Sequence, residues 1–183
     1  MKNTIIFHGT GNNPKGNWFG WLKEQLELRG ERVFVPTLPT PEGQTVPEWM
    51  SACKNQLPAF SANDEITLIG HSAGATFILH YLEQMDIKAQ RSVFVSPVID
   101  DIDHEEINPL LSTFVHHDFD WNLLRERAGE VAVLHGDDDP YVPLEQAHRL
   151  STSLGVQTTV IENGRHLNAD SGYTEFPFLL DIV

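Results

Sequence analysis

The chain has a single cysteine, Cys53, among 183 residues, so it cannot close an internal disulfide, and chains without disulfides are typical of reducing compartments. This predicts a cytoplasmic protein. Basic residues are also scarce. Twelve Lys and Arg stand against 26 Asp and Glu, for a formal charge of −14. Such a charge repels a phosphate backbone or an anionic lipid surface. Nucleic acid and membrane are therefore excluded as expected partners. No run approaches the ~18 consecutive apolar residues of a spanning helix, and Met1-Lys2-Asn3-Thr4 passes straight into a strand-like Ile5-Ile6-Phe7. No signal peptide is expected. Pro- or Gly-rich linkers, fixed-period repeats and low-complexity tracts are missing too, which predicts one domain over residues 1–183.

What the chain does have is the composition of an ordinary globular protein, 40% hydrophobic and 21% charged, enough to bury a substantial core. Short apolar, often β-branched runs at Thr4 to Phe7, Arg32 to Val35, Glu65 to Ile69, Ser92 to Val95, Glu130 to Leu134 and Gln157 to Ile161 predict six strands. Between them, helical spacing covers Trp18 to Gly30, Val46 to Phe60, Ala73 to Met85, Val142 to Leu154 and a stretch near Thr174 to Val183. Regular alternation of strand and helix, with the almost wholly apolar Ile66-Thr67-Leu68-Ile69 among the strands, predicts an α/β fold: a doubly wound, six-stranded parallel sheet with helices on both faces. Pro97 to Arg127 breaks the rhythm with acids, paired histidines and scattered apolar residues. Loop and short helix are expected there, as a lid-like connection.

Gly70-His71-Ser72-Ala73-Gly74 follows the third strand and opens a helix. A G-x-S-x-G at such a junction holds a serine hydroxyl exposed on a sharp turn, and the two glycines allow the bend. The bare pattern is common, and its place between strand and helix is what gives it weight. A serine becomes nucleophilic only when a base takes its proton, so an acid and a histidine are needed further along. The fifth strand ends in His135-Gly136-Asp137-Asp138-Asp139-Pro140, and the sixth is followed by Asn163-Gly164-Arg165-His166. Ser72, Asp139 and His166 are accordingly the candidate nucleophile, orienting acid and base. Asp139 taken alone could merely cap a helix, and the same holds for Asp137 and Asp138. The loop His8-Gly9-Thr10-Gly11 offers a backbone N–H at Thr10 which, with that of Ala73, forms the expected oxyanion hole.

Other readings of these segments fit less well. The glycine-rich loop after the first strand does not match a nucleotide-binding motif, because Asn17-Trp18 stand where a phosphate loop needs Lys then Ser or Thr. No cofactor is expected. His116-His117-Asp118 with Asp120 could ligate a metal, but successive loop residues rarely converge, and no matching pair lies nearby in sequence. That segment reads as a polar lid, and no metal is expected. Cys53 shares helical spacing with Trp49, Leu57 and Phe60, as a core residue does.

Taken together, His8-Gly9-Thr10-Gly11, Asn17-Trp18-Phe19-Gly20-Trp21-Leu22, Pro36-Thr37-Leu38-Pro39-Thr40-Pro41, the nucleophile turn, Phe119-Asp120-Trp121, Gly136-Asp137-Asp138-Asp139-Pro140 and Gly164-Arg165-His166 resemble the small serine hydrolases grouped with retinoblastoma-binding protein 9 and the bacterial YdeN-like proteins. The resemblance runs along essentially the whole chain. It implies a minimal α/β-hydrolase fold with Ser72, Asp139 and His166 in the matching positions. Ala75 and Arg165 stand where the family often has glycine. The expected activity is hydrolysis of a small-molecule ester of short chain, in a pocket walled by His8, Trp18, His71, Phe119 and Trp121. The competing class is a non-catalytic protein-interaction module that keeps the same fold. The oligomeric state is left at monomer or dimer.

Overall fold

In the computed structural model, which describes every residue except Ala62, the strands are β1 (Lys2–Phe7), β2 (Arg32–Phe34), β3 (Glu65–His71), β4 (Arg91–Val95), β5 (Glu130–Gly136) and β6 (Thr158–Ile161). They form one sheet in the order β2-β1-β3-β4-β5-β6, with every neighbouring pair parallel. This is the doubly wound α/β sheet the alternating pattern predicts. Period-two side-chain alternation divides the apolar residues between the two faces. Ile5, Phe7, Leu68, Phe94 and Val133 enter one core cluster. Their neighbours Ile6, Ile69, Val93, Val95 and Leu134 enter the other.

Helices α1 (Phe19–Leu28) and α7 (Pro177–Ile182) cover the second face. The first is covered by α2 (Val46–Gln56), α3 (Ala73–Gln84), α4 (Asn108–Val115), α5 (Trp121–Arg127) and α6 (Leu144–Leu154). Cys53 is buried among these residues, as the spacing predicts, and burial pushes its thiol up to about 12. Helix α2 starts at Thr45, whose hydroxyl accepts from the Glu48 N–H. It stops at Gln56, short of the predicted Phe60, because Leu57 precedes Pro58 and is held in extended backbone.

The connection 97–127, where loop and short helix are expected, holds α4 and α5. Asp120 caps α5 by accepting from the Asn122 and Leu123 N–H groups, while Pro109 sits in the first turn of α4, where its missing N–H costs nothing. Leu111, Phe114 and Val115 then bury one face of α4.

The strand order reverses between β1 and β3, the switch point at which doubly wound sheets open a crevice at their carboxyl ends. Phe7 lies in register with Gly70, so the loops leaving these two strands start side by side. Helix α3 comes very close to the sheet here. A Cβ on Gly74 would fall on the backbone oxygen of Phe7, and one on Gly70 would fall on that of Gly74. Replacing Gly74 with alanine should therefore force helix from sheet and lower stability by about 3 kcal/mol. Urea unfolding checks this, and an unchanged midpoint would contradict it.

Candidate active site

Ser72 sits between β3 and α3 with φ 55° and ψ −124°. This region is unfavourable for a side-chain-bearing residue, and the turn is held by the Ser72 N–H donating to Val95 O at 2.9 Å. A nucleophile elbow carries its serine in this way. Since α3 starts at Ala73, the Ala73 N–H belongs to the first turn, whose donors lack helical acceptors. The loop after β1 passes directly against the elbow, and a Cβ on Gly9 would lie 2.9 Å from that of Ser72. Thr10 is fixed there through its hydroxyl, which accepts from Gln44 Nε2 at 2.8 Å.

The acidic turn after β5 and the histidine loop after β6 are bound to each other by three consecutive carboxylates. Asp137 accepts from the Asn163 N–H at 2.8 Å, Asp138 from the Arg165 N–H at 2.6 Å, and Asp139 Oδ2 from His166 Nδ1 at 2.8 Å. Asp139 Oδ1 accepts from the N–H groups of Tyr141 and Val142. The two oxygens of Asp139 thus bind separately, one to its own turn and the other to the His166 imidazole, and Asp139 does not cap α6, whose N-cap is Pro143. Burial alone would raise the pKa of this carboxyl. The His166 bond and charge, with the two N–H donors, outweigh burial and leave it below the usual range.

Asn163, Arg165 and Leu167 all have left-handed φ, at 53°, 48° and 49°, although none is glycine. Glycine would take the φ of Arg165 without strain. The Trp18 indole donates to Leu167 O at 3.0 Å and His71 Nε2 donates to His166 O at 2.8 Å. These bonds hold the loop from beneath. Gly136 completes the fit, because a Cβ there would fall on Arg165 O.

Ser72 and His166 open into one cleft of about 270 Å³, lined also by Thr10, Val98, Ile102, Ile107, Leu111, Tyr141, Val142 and Asn168. The pocket wall predicted from sequence is corrected on every side. Trp18 is fully buried against Phe19 and Phe176. His8 is buried as a strut, accepting from the Leu38 N–H at Nε2 and donating to Gly9 O. His71 is buried beneath the histidine loop. Phe119 and Trp121 pack on each other, with Phe119 against His80, which lies about 12 Å along α3 from Ser72. Arg165 is exposed and takes no part in the cleft.

The apolar part of the cleft lining comes mainly from Val98, Ile102, Ile107 and Leu111. Their signal was present as the scattered apolar residues of 97–127, but their orientation depends on α4. Tyr141 was missed as well, two residues after the acid. Its ring stands edge-on to His166 at 5.2 Å.

Burial lowers the pKa of His8, His71, His80 and His135, that of His71 to about 3 from 6.5. The unfolded chain therefore takes up protons that the folded one refuses. The stability contributed by His71 is complete above 6.5 and is lost as pH falls from there toward about 3, at up to about 1.4 kcal/mol per pH unit for one fully coupled group. His71→Gln keeps an N–H for the His166 carbonyl and removes this proton. Urea midpoints measured from roughly pH 7 to 4 should fall less steeply in the variant; parallel declines would contradict the assignment.

Comparison with known proteins agrees with this fold. A family model described as serine hydrolase matches residues 4–183. The YdeN protein of Bacillus subtilis (strain 168) is 25% identical over 184 residues, covering 100% of this chain and 94% of its own. Serine hydrolase RBBP9 of Rattus norvegicus is 22% identical, covering 96% of this chain and 89% of its own. The crystal structure of the B. subtilis ydeN product superposes with a TM-score of 0.88, covering 100% of this chain and 96% of that one. Est1E from Butyrivibrio proteoclasticus shares the fold with a TM-score of 0.69 at 17% identity, over 98% of this chain and 87% of its own. With the sheet, the elbow and a match over nearly its whole length in agreement, the chain belongs to the serine hydrolase family.

Proposed function

We propose that the protein hydrolyses small or short-chain carboxylic esters through an acyl-enzyme on Ser72. The observation that carries this reading is the His166–Asp139 bond at 2.8 Å, made by a histidine that shares its cleft with a strained, half-buried serine. In this reading His166 Nδ1 keeps its proton against Asp139, which leaves Nε2 as the base. Ser72 Oγ attacks the ester carbonyl as its proton passes to His166. The N–H groups of Thr10 and Ala73 receive the charge that develops on the carbonyl oxygen, each worth on the order of 10²–10³ in turnover. The imidazolium then protonates the departing alcohol, and a water activated by the same histidine releases the acid.

The cleft volume, about 270 Å³, sits at the low end for ligand pockets and suits a compact acyl group. Val98, Ile102, Ile107 and Leu111 offer that group an apolar wall without the length of a fatty-acyl tunnel.

A fluorophosphonate probe should label the wild type and leave Ser72→Ala unlabelled, with aryl-ester turnover lost in the same variant. An unlabelled and inactive wild type would instead favour an interaction module that keeps the fold. Across an acyl series on one leaving group, kcat/KM should peak at short chains, and a clear preference for long chains would overturn the substrate class.

A further inference from the structure

The paired histidines of the 97–127 connection point in different directions. His116 Nε2 meets Asp101 Oδ2 at 3.2 Å, and His117 Nε2 meets Glu83 Oε2 at 2.8 Å. Glu83 lies one turn beyond His80 on the same face of α3. The fold thus supplies what the sequence around His117 lacks: a second histidine and a carboxylate. One ligand atom from each of His80, Glu83 and His117 lies within 4.8 Å of the others.

The geometry points to a binding site for one divalent transition-metal ion held by His80, Glu83 and His117, well away from Ser72. Two imidazoles and a carboxylate are one of the donor sets of three-ligand zinc sites, with water at the fourth position. Closing the donors to about 3.3 Å satisfies a tetrahedral ion, and His117 is exposed enough to move.

Two of the ligands are already oriented by outer partners, as metal ligands commonly are. His80 Nε2 donates to the carbonyl of Phe114 at 2.8 Å, which fixes the proton on Nε2 and leaves Nδ1 as the lone pair. Glu83 Oε1 accepts from the Asp120 N–H at 2.6 Å, leaving Oε2 to the ion. Phe119 closes one side by packing on the rings of both His80 and His117. Bound there, the ion would tie the end of α3 to the link between α4 and α5. It would act as a structural clamp behind the cleft wall and take no part in ester chemistry.

Calorimetric titration of the chelator-treated, untagged protein with ZnCl₂ tests this, with a Co²⁺ spectrum to report coordination. One equivalent should bind, Co²⁺ should give the visible absorption of a tetrahedral N/O site, and a hundredfold excess over Kd should raise Tm by about 5 °C. Affinity should fall about tenfold or more in His117→Ala and in Glu83→Gln, and stay unchanged in His166→Ala. No saturable binding, or binding lost in His166→Ala but kept in His117→Ala, would overturn the site. Probe labelling of Ser72 is independent of either result.

Discussion

Asp139 binds in two directions at once, and the site depends on that division. One oxygen closes its own turn through the Tyr141 and Val142 N–H groups, and the other takes the His166 imidazole. Asp137 and Asp138 extend the arrangement by accepting from alternate N–H groups of the neighbouring loop. Three charges in a row would repel one another in an empty turn. Here each has its own donor, and the loop they hold contains three left-handed, non-glycine residues that isolated backbone would abandon. Geometry at His166 is therefore maintained by outside bonds, from the acids above and from Trp18 and His71 below.

Most of the fold was legible because parallel strands announce themselves. Runs such as Ile66 to Ile69 are apolar on both faces, and each strand was located to within a few residues. Ser72, Asp139 and His166 could be singled out because serine-hydrolase chemistry dictates residue type, order and position at strand ends, and the fold brings His166 Nδ1 to 2.8 Å from Asp139 Oδ2. The pocket was not. An aromatic such as Trp18 reads the same whether it lines a cleft or fills a core, and only the packing of α1 against Phe176 decides. The same ambiguity hid the apolar wall: Ile107 and Leu111 share the helical spacing of Phe114 and Val115, which marks an apolar helix face without saying whether it fills a core or lines a cleft. His80 and Glu83 carried no sequence signal toward His117, 34 residues beyond Glu83.

The histidines illustrate how burial sorts one residue type into several tasks. His8 and His71 are fixed struts beneath the loops after β1 and β6, kept neutral by burial. His135 donates to Val142 O and so supports the turn that carries Asp139. His166, alone of these four, lines the cleft.

Most of the apolar wall of the cleft comes from one contiguous stretch, Val98 to Leu111, inserted between β4 and β5, whereas Ser72, Asp139 and His166 come from the ends of β3, β5 and β6. Under the proposed function, most of the apolar recognition surface and the reacting groups are thus encoded in separate parts of the gene. Exchanging the inserted stretch could change which acyl group fits without altering the sheet or its three strand ends. A lineage with this layout can diversify its substrates through a single short segment while its chemistry stays fixed.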